Sequence, residues 1–258
     1  MRNVVAEKAN SEYLKGVINN GVHSENHFGF FCTSPSGVKD GYGVIYNKNN
    51  GTITRIDRAT GDKIVFGNPL ESTDERGYIA VLISAPYVPN TYSDKSVYRN
   101  EEGEPVAVEF ICYIHRIAAF VWAKLNNIDI EGNLVGNHKN GCKLDNRYIN
   151  IELVTNLENN LHGAVYNSFL NNGQFQYMFC KRANKIKEFN SLKDEYIISA
   201  KWVTEYMKLN SKFKEQVTEC KNDLIAGSRV KNKRYISYFQ LYSFSKWLVK
   251  MGYWRDNK

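Results

Sequence analysis

The chain has 258 residues, with 34 Lys+Arg against 27 Asp+Glu and a formal charge of +7, a length that accommodates one to three domains. Apolar residues at 43% and charged residues at 24% are globular values that exclude wholesale disorder, and no apolar run approaches the roughly 18 residues of a membrane span. Five scattered cysteines, Cys32, Cys112, Cys142, Cys180 and Cys220, form no C-x-x-C pair, so neither a disulfide framework nor a thiolate zinc site is expected.

Charge is unevenly placed. Residues 1–164 hold 16 Lys+Arg and 19 Asp+Glu, whereas residues 165–258 hold 18 and 8, a net of +10. A basic half joined to a near-neutral half suggests a polyanion-binding module attached to something else; on charge alone, a solvated Lys-rich helical surface is the competing reading. The first residues, Met-Arg-Asn-Val-Val-Ala-Glu-Lys, meet a charge before any apolar stretch, so no export signal is expected and the setting is taken as cytoplasmic.

Taken in chain order, residues 4–20 have a weakly amphipathic helical pattern ending at Asn19-Asn20-Gly21. From 28 to about 110 the texture changes to short β-prone runs. Gly43–Tyr46 and Thr52–Ile56 flank the turn Asn47-Lys-Asn-Asn-Gly51 and predict a hairpin; Tyr78–Ile83 predicts another strand. The Pro-containing stretch 86–106 predicts a loop, and Ile117, Phe120, Val121 and Leu125 predict a helix over 111–126. Further on, 175–189 predicts a hairpin, and helices are predicted over 191–209, 211–225 and 237–251. In the last of these, the aromatics Tyr238, Phe239, Tyr242, Phe244 and Trp247, with Tyr253 beyond, are read as core.

The chemistry-bearing segment begins at Val135-Gly-Asn137-His138 and runs through a turn at Asn140-Gly141, then Asn146-Arg147 and Asn150, to a strand at 150–154. Thr155-Asn-Leu-Glu158 fits a capping box, which marks the start of a helix. On that helix Asn159 and His162 are three residues apart and share a face. If that face packs on the preceding hairpin, Asn137, His138, Asn159 and His162 converge. A histidine beside amide oxygens suits metal-assisted phosphodiester hydrolysis. The histidine deprotonates a water in place, and a divalent cation on oxygen ligands neutralises the leaving 3′ oxygen.

This segment resembles the HNH endonucleases of phage homing type, which carry a ββα-metal site. The match includes Asn137-His138, Gly141, Asn146-Arg147, Asn150-Ile151, Val154-Thr155 and Glu158-Asn159 through His162. Upstream, Tyr113-Ile-His115-Arg116 resembles the helix that precedes the site. The resemblance implies that His138 is the general base, that Asn137 and Asn159 are metal ligands, and that Asn150 pins the loop behind the base. It gives His162 a place at the phosphate or metal, makes Arg147 a phosphate contact, and implies one Mg²⁺ or Mn²⁺ ion per site. His115 is expected to pack its helix rather than touch metal. Many relatives carry Asp at the position of Asn137, so weaker metal binding is expected here.

The expected fold is α+β: an N-terminal β-rich module over 1–110, an HNH nuclease domain over 111–165, and a basic, mostly helical DNA-binding region over 166–258. Lys181, Arg182, Lys185, Lys231, Lys233 and Arg234 are the basic candidates for backbone phosphates. The expected activity is metal-dependent cleavage of double-stranded DNA by a monomer, with no membrane partner, in the cytoplasm of a host cell if the gene belongs to a phage. The alternatives are a DNA-binding protein with a degenerate nuclease site and an RNA-directed nuclease.

Overall fold

The computed structural model describes residues 4–34, 37–58, 60–67, 77–85, 108–130, 134–171, 197–225 and 235–254. The chain divides into two compact units, one of residues 1–132 with 143–153, the other of 133–142 with 154–258.

In the first unit, helix α1 (Val4–Asn19) is followed by a five-stranded antiparallel meander, β1 (Val22–His23), β2 (His27–Ser34), β3 (Gly37–Asn47), β4 (Ile53–Asp57) and β5 (Lys63–Phe66), in chain order. Period-two alternation decides which face is covered. Phe28, Phe30 and Cys32 of β2 are buried with Val44 and Tyr46 of β3 and Ile53 of β4, while the intervening Phe31 is exposed. The register pairs Phe28 with Tyr46 and Phe30 with Val44, so large side chains stand opposite one another on one face. The β3–β4 hairpin turns where expected. Asn47 Oδ1 accepts from the N–H groups of Asn49 and Asn50 at 3.0 and 3.3 Å, and Gly51 closes the turn at φ +75°, a conformation glycine adopts without steric cost.

A second antiparallel pair, β6 (Ala80–Ala85) and β7 (Val108–Tyr113), leads into α2 (Ile114–Leu125). The helix starts three residues later than its apolar spacing predicts. Residues 111–113 are engaged in the ladder with β6, and Tyr113 is still extended at ψ 136°. A short apolar run satisfies both periods, and pairing with β6 decides the outcome. Leu14 and Ile18 of α1, Ile79, Val81 and Ile83 around β6, and Ile114, Ile117 and Val121 of α2 share one buried core with the meander. The ring of His115 lies 4.8 Å from that of Tyr78 and 5.6 Å from that of Tyr113.

Cys32 and Cys112 are free thiols in this core. Burial pushes both from the ordinary 9.0 up to about 12. The folded chain therefore keeps two protons that the unfolded chain releases above about pH 9, so stability is lost as pH rises from about 9 toward 12. The urea midpoint should hold steady between about pH 7 and 8 and fall above 9, with neither thiol alkylated while the chain is folded. Rapid alkylation of both under native conditions would contradict this.

The second unit contains β8 (Leu134–His138), α3 (Asn156–Asn171), α4 (Ala200–Leu209), α5 (Ser211–Ile225) and α6 (Tyr238–Lys250); the strand β9 (Ile151–Thr155) leads into α3 across the boundary of the units. Helix α3 packs against α4, α5 and β8. Val165 and Phe169 of α3 are buried with Ile198, Val203, Phe213, Val217, Ile236, Leu241, Phe244 and Leu248. The helix expected over 191–209 begins only at Ala200 in the described part. Ser199 is its N-cap, with Oγ accepting from Lys201 N–H at 3.2 Å, and Ile197 and Ile198 precede it as non-helical backbone. The reading of Phe239 as core is also overturned. Phe239 is 73% exposed, whereas Phe244, five residues on, is fully buried, because the covered stripe of α6 runs through Leu241, Phe244 and Leu248. The loop expected over 86–106 and the hairpin expected over 175–189 lie outside the described residues. No helix among the described residues is long and apolar enough to cross a membrane.

Candidate active site

Helix α3 owes its start to the local sequence. Thr155 Oγ1 accepts from Glu158 N–H at 3.2 Å, and Glu158 Oε2 accepts from both Thr155 N–H and Thr155 Oγ1 at 2.9 Å. This is the reciprocal capping box expected from Thr155-Asn-Leu-Glu158. It fixes the helical phase, and with it the positions of Asn159 and His162. His162 is buried at 3% exposure, and Asn159, one turn earlier, is half-buried.

Strand β8, against which α3 packs, ends in Asn137 and His138, with only 5% and 6% of their surfaces exposed. The chain then turns sharply. Gly141 N–H donates to the His138 carbonyl at 2.9 Å, and Asn140 Oδ1 accepts from Cys142 N–H at 2.9 Å. Lys139 is held from the far side, its carbonyl accepting from Ile198 N–H at 3.0 Å. Gly141 lies directly on the ring of Tyr166, and that ring is stacked with His162 at 5.9 Å between centroids. The two histidines thus belong to one packed group: His138 is tied through the turn to Gly141, Gly141 rests on Tyr166, and Tyr166 stacks on His162.

Sequence reasoning missed Tyr166, and the only signal for it was Asn140-Gly141 itself. Gly141 stands at φ +66°, and a Cβ there would collide with Cδ1 and Cε1 of Tyr166. Replacing Gly141 with alanine should therefore cost about 2–4 kcal/mol in urea unfolding, combining left-handed strain with overpacking. A loss below about 1 kcal/mol, the ordinary size for a point substitution, would mean that the turn does not bear on Tyr166 as described.

Asn150 and Arg147, also singled out by the sequence, lie in the first unit. Asn150 is fully buried in a short 3-10 turn (Tyr148–Asn150), and its Nδ2 donates to the Asp145 carbonyl at 2.8 Å, closing the loop 145–150. Arg147 makes a two-point ion pair with Asp145, Nε to Oδ1 at 2.7 Å and Nη2 to Oδ2 at 2.5 Å. The meander holds this loop in place. Tyr46 Oη donates to the Asn146 carbonyl at 2.7 Å, the Lys48 carbonyl accepts from Tyr148 N–H at 2.9 Å, and Gly51 lies against the backbone of Asn146 and Arg147. Burial pushes the phenols of Tyr46 and Tyr148 upward, so both remain hydroxyl donors at neutral pH.

The six basic candidates, Lys181, Arg182, Lys185, Lys231, Lys233 and Arg234, lie outside the described residues. Among the described residues no three His, Cys, Asp or Glu side chains stand together as a metal cage. Of the residues that the sequence singles out there, Asn137 and Asn159 offer amide oxygens, and His138 and His162 offer imidazoles. Amide oxygens suit a hard divalent ion that keeps water and phosphate as its remaining ligands. The amide oxygens are the part of this set whose chemistry suits Mg²⁺ or Mn²⁺.

No protein-family profile matches the chain, and no solved structure matches it. An uncharacterized HNH endonuclease of Acanthamoeba polyphaga mimivirus is 45% identical over 83 residues, 31% of this chain. Those residues cover 20% of the viral protein, so the chain spans about a fifth of its relative. Over about a third of its length the chain is thus similar to a protein named as an HNH endonuclease.

Proposed function

We propose that the chain is a metal-dependent endonuclease of the HNH type that hydrolyses double-stranded DNA. The observation that carries this reading is the buried polar group at the end of β8 and on α3: Asn137, His138 and His162. Burying such side chains is costly unless they are hydrogen-bonded, and apolar residues would pack there at lower cost. A chain that keeps polar side chains covered where apolar ones would pack does so most often where chemistry is required. The similarity to the viral HNH endonuclease supports the same reading.

In this mechanism His138 takes the proton from the attacking water, a step that suits a side chain able to gain and lose a proton near neutral pH. Asn137 and Asn159 would hold Mg²⁺ or Mn²⁺, which supplies charge neutralisation at the leaving 3′ oxygen when bound. Asn150, through its bond to the Asp145 carbonyl, keeps the loop closed and acts as a positioning residue. His162 would contact the phosphate or help to hold the cation. Arg147 is already paired with Asp145, so a DNA phosphate would have to share or displace that pair. Regions 1–110 and 166–258 contribute the grip on the duplex, and residues 111–165 form the HNH domain. Action as a monomer in a host-cell cytoplasm, in the service of a mobile element, belongs to the same proposal.

The test is incubation of supercoiled plasmid with the full chain and Mg²⁺, alongside an EDTA control and a labelled RNA. Nicked or linear plasmid that appears only with Mg²⁺ supports the nuclease. Gel retardation without cleavage would instead make the chain a DNA-binding protein with a degenerate site. Cleavage of the RNA alone would make it an RNA-directed nuclease.

The neutral amide at 137 leads to a paired expectation. Asn159→Ala should lose activity and Mn²⁺ affinity, whereas Asn137→Asp should keep or raise both, because it restores an anionic oxygen for a hard cation. Calorimetry that finds Mn²⁺ bound by Asn159→Ala as tightly as by the parent would remove Asn159 from the ligand set.

A further inference from the structure

Helix α6 has two unlike faces. Leu241, Phe244 and Leu248 are fully buried, and the helix start is held firmly. Ile236 is buried with its N–H on Ser168 Oγ at 3.1 Å, and Ser237 donates N–H and Oγ–H to Gln216 Oε1 at 2.9 and 3.1 Å. The opposite face presents Phe239, Tyr242, Lys246 and Lys250 at spacings of three and four residues, which places them in one stripe. Tyr242 is half-buried, and the other three are exposed. No acidic residue occurs anywhere in α6.

The rings of this stripe are ordered by their neighbours. Tyr238 stacks on Tyr242 at 5.7 Å with 15° between planes, and Phe239 meets Tyr238 edge-on at 5.5 Å. Lys246 Nζ lies 4.7 Å from the centre of the Tyr242 ring. Phe239 keeps 73% of its surface in solvent. Beyond its edge-on contact with Tyr238, phenylalanine at that position is not accounted for by burial, and a glutamate or lysine would form helix more readily.

We infer that the outward stripe of α6 is a stacking platform for unpaired bases of single-stranded DNA, with Phe239 as the principal ring and Lys246 and Lys250 following the phosphates. The inference rests on the nucleic-acid reading proposed above and adds a second form of substrate to it. An aromatic ring needs the open face of a base, and a base within a duplex has both faces covered; the platform is therefore for single strands. Stacking of this kind tolerates any sequence. Lys246 and Lys250 stand one turn apart, about 6 Å along the axis, in position to track a backbone. Charge favours this occupant over a second copy of the chain. Residues 165–258 carry 18 Lys+Arg against 8 Asp+Glu, which repels a like surface and attracts a polyanion.

The experiment is a fluorescence-anisotropy titration of the full chain in EDTA, with labelled oligo(dT) and with a blunt duplex of equal length. Phe239→Ala is expected to weaken oligo(dT) binding about 5- to 100-fold, the range measured when one stacking ring is removed, and to leave duplex binding within about two-fold. Phe239→Trp should restore the affinity and Phe239→Leu should not, which separates stacking from plain apolar contact. An unchanged urea midpoint for Phe239→Ala shows that the helix is intact, as its exposure implies. Parental oligo(dT) affinity in Phe239→Ala or in Phe239→Leu overturns the platform, as does a parent that fails to bind oligo(dT). So does a Phe239→Ala variant that loses only self-association in sedimentation. Plasmid cleavage run in parallel keeps the two readings apart. A parent that cleaves while Phe239→Ala binds oligo(dT) normally loses the platform alone. A parent that does not cleave but binds oligo(dT) through Phe239 loses the nuclease alone.

Discussion

Replacing His138 with alanine is expected to lower plasmid cleavage by about 10²–10⁴-fold, the usual cost of losing a general base, while DNA affinity stays within a few-fold. The motive is the position of His138 in both sequence and structure. It closes strand β8, is nearly covered by protein, and is tied through its carbonyl to Gly141. None of this places it where a DNA-gripping residue would sit, so binding and chemistry should separate. Loss of activity through misfolding is distinguished by two further measurements. The urea midpoint of His138→Ala reports the packing cost, and added imidazole should recover part of the rate by standing in for the missing ring. A variant that cleaves at near-parental rate would remove His138 from the role of base. One that stays inactive with imidazole and melts early would make the residue a packing element.

What could be read from the residues was mostly local. The capping box at Thr155 and Glu158 is complete within four positions, and the structure forms all three of its hydrogen bonds. The Asn47–Gly51 turn is equally self-contained, since Asn47 supplies acceptors to its own next residues. Contacts across long stretches of chain carried no such mark. Tyr46 reaches Asn146 across 100 positions, and nothing in either neighbourhood announces that a meander tyrosine holds the loop carrying Arg147 and Asn150. Tyr166 was missed for a similar reason. As an aromatic residue on a helix it has an ordinary packing role, and only its contact with Gly141 shows that it joins the turn after His138 to His162.

Two errors of period were also physical in origin. Residues 111–113 suit a helix or a strand, and their pairing with β6 chose the strand. The aromatic residues of 238–253 suggested a core by density alone. Which of them point inward depends on the helical phase set by Ile236 and Ser237, and that phase turns Phe244 in and Phe239 out.

Neutralising Lys181, Arg182, Lys231, Lys233 and Arg234 together should weaken duplex binding for every sequence tested and flatten its dependence on salt. Residues 165–258 hold a net of +10 while residues 1–164 hold more acids than bases, so counterion release on binding should come mainly from the C-terminal region. Each true phosphate contact contributes about 0.9 to the slope of log K against log salt. Five real contacts would therefore remove about 4 to 5 from it, and partial participation would remove proportionately less. The measurement is a salt titration in Ca²⁺, a cation of the same charge and oxygen preference as Mg²⁺, run alongside a cleavage control. A slope and affinity equal to the parent's would show those five side chains to be a solvated surface, and the grip would then pass to the N-terminal strands. Phe239, Lys246 and Lys250 remain intact in this variant. Oligo(dT) binding that persists after duplex binding has fallen would separate phosphate attraction over the whole region from stacking on one face of α6.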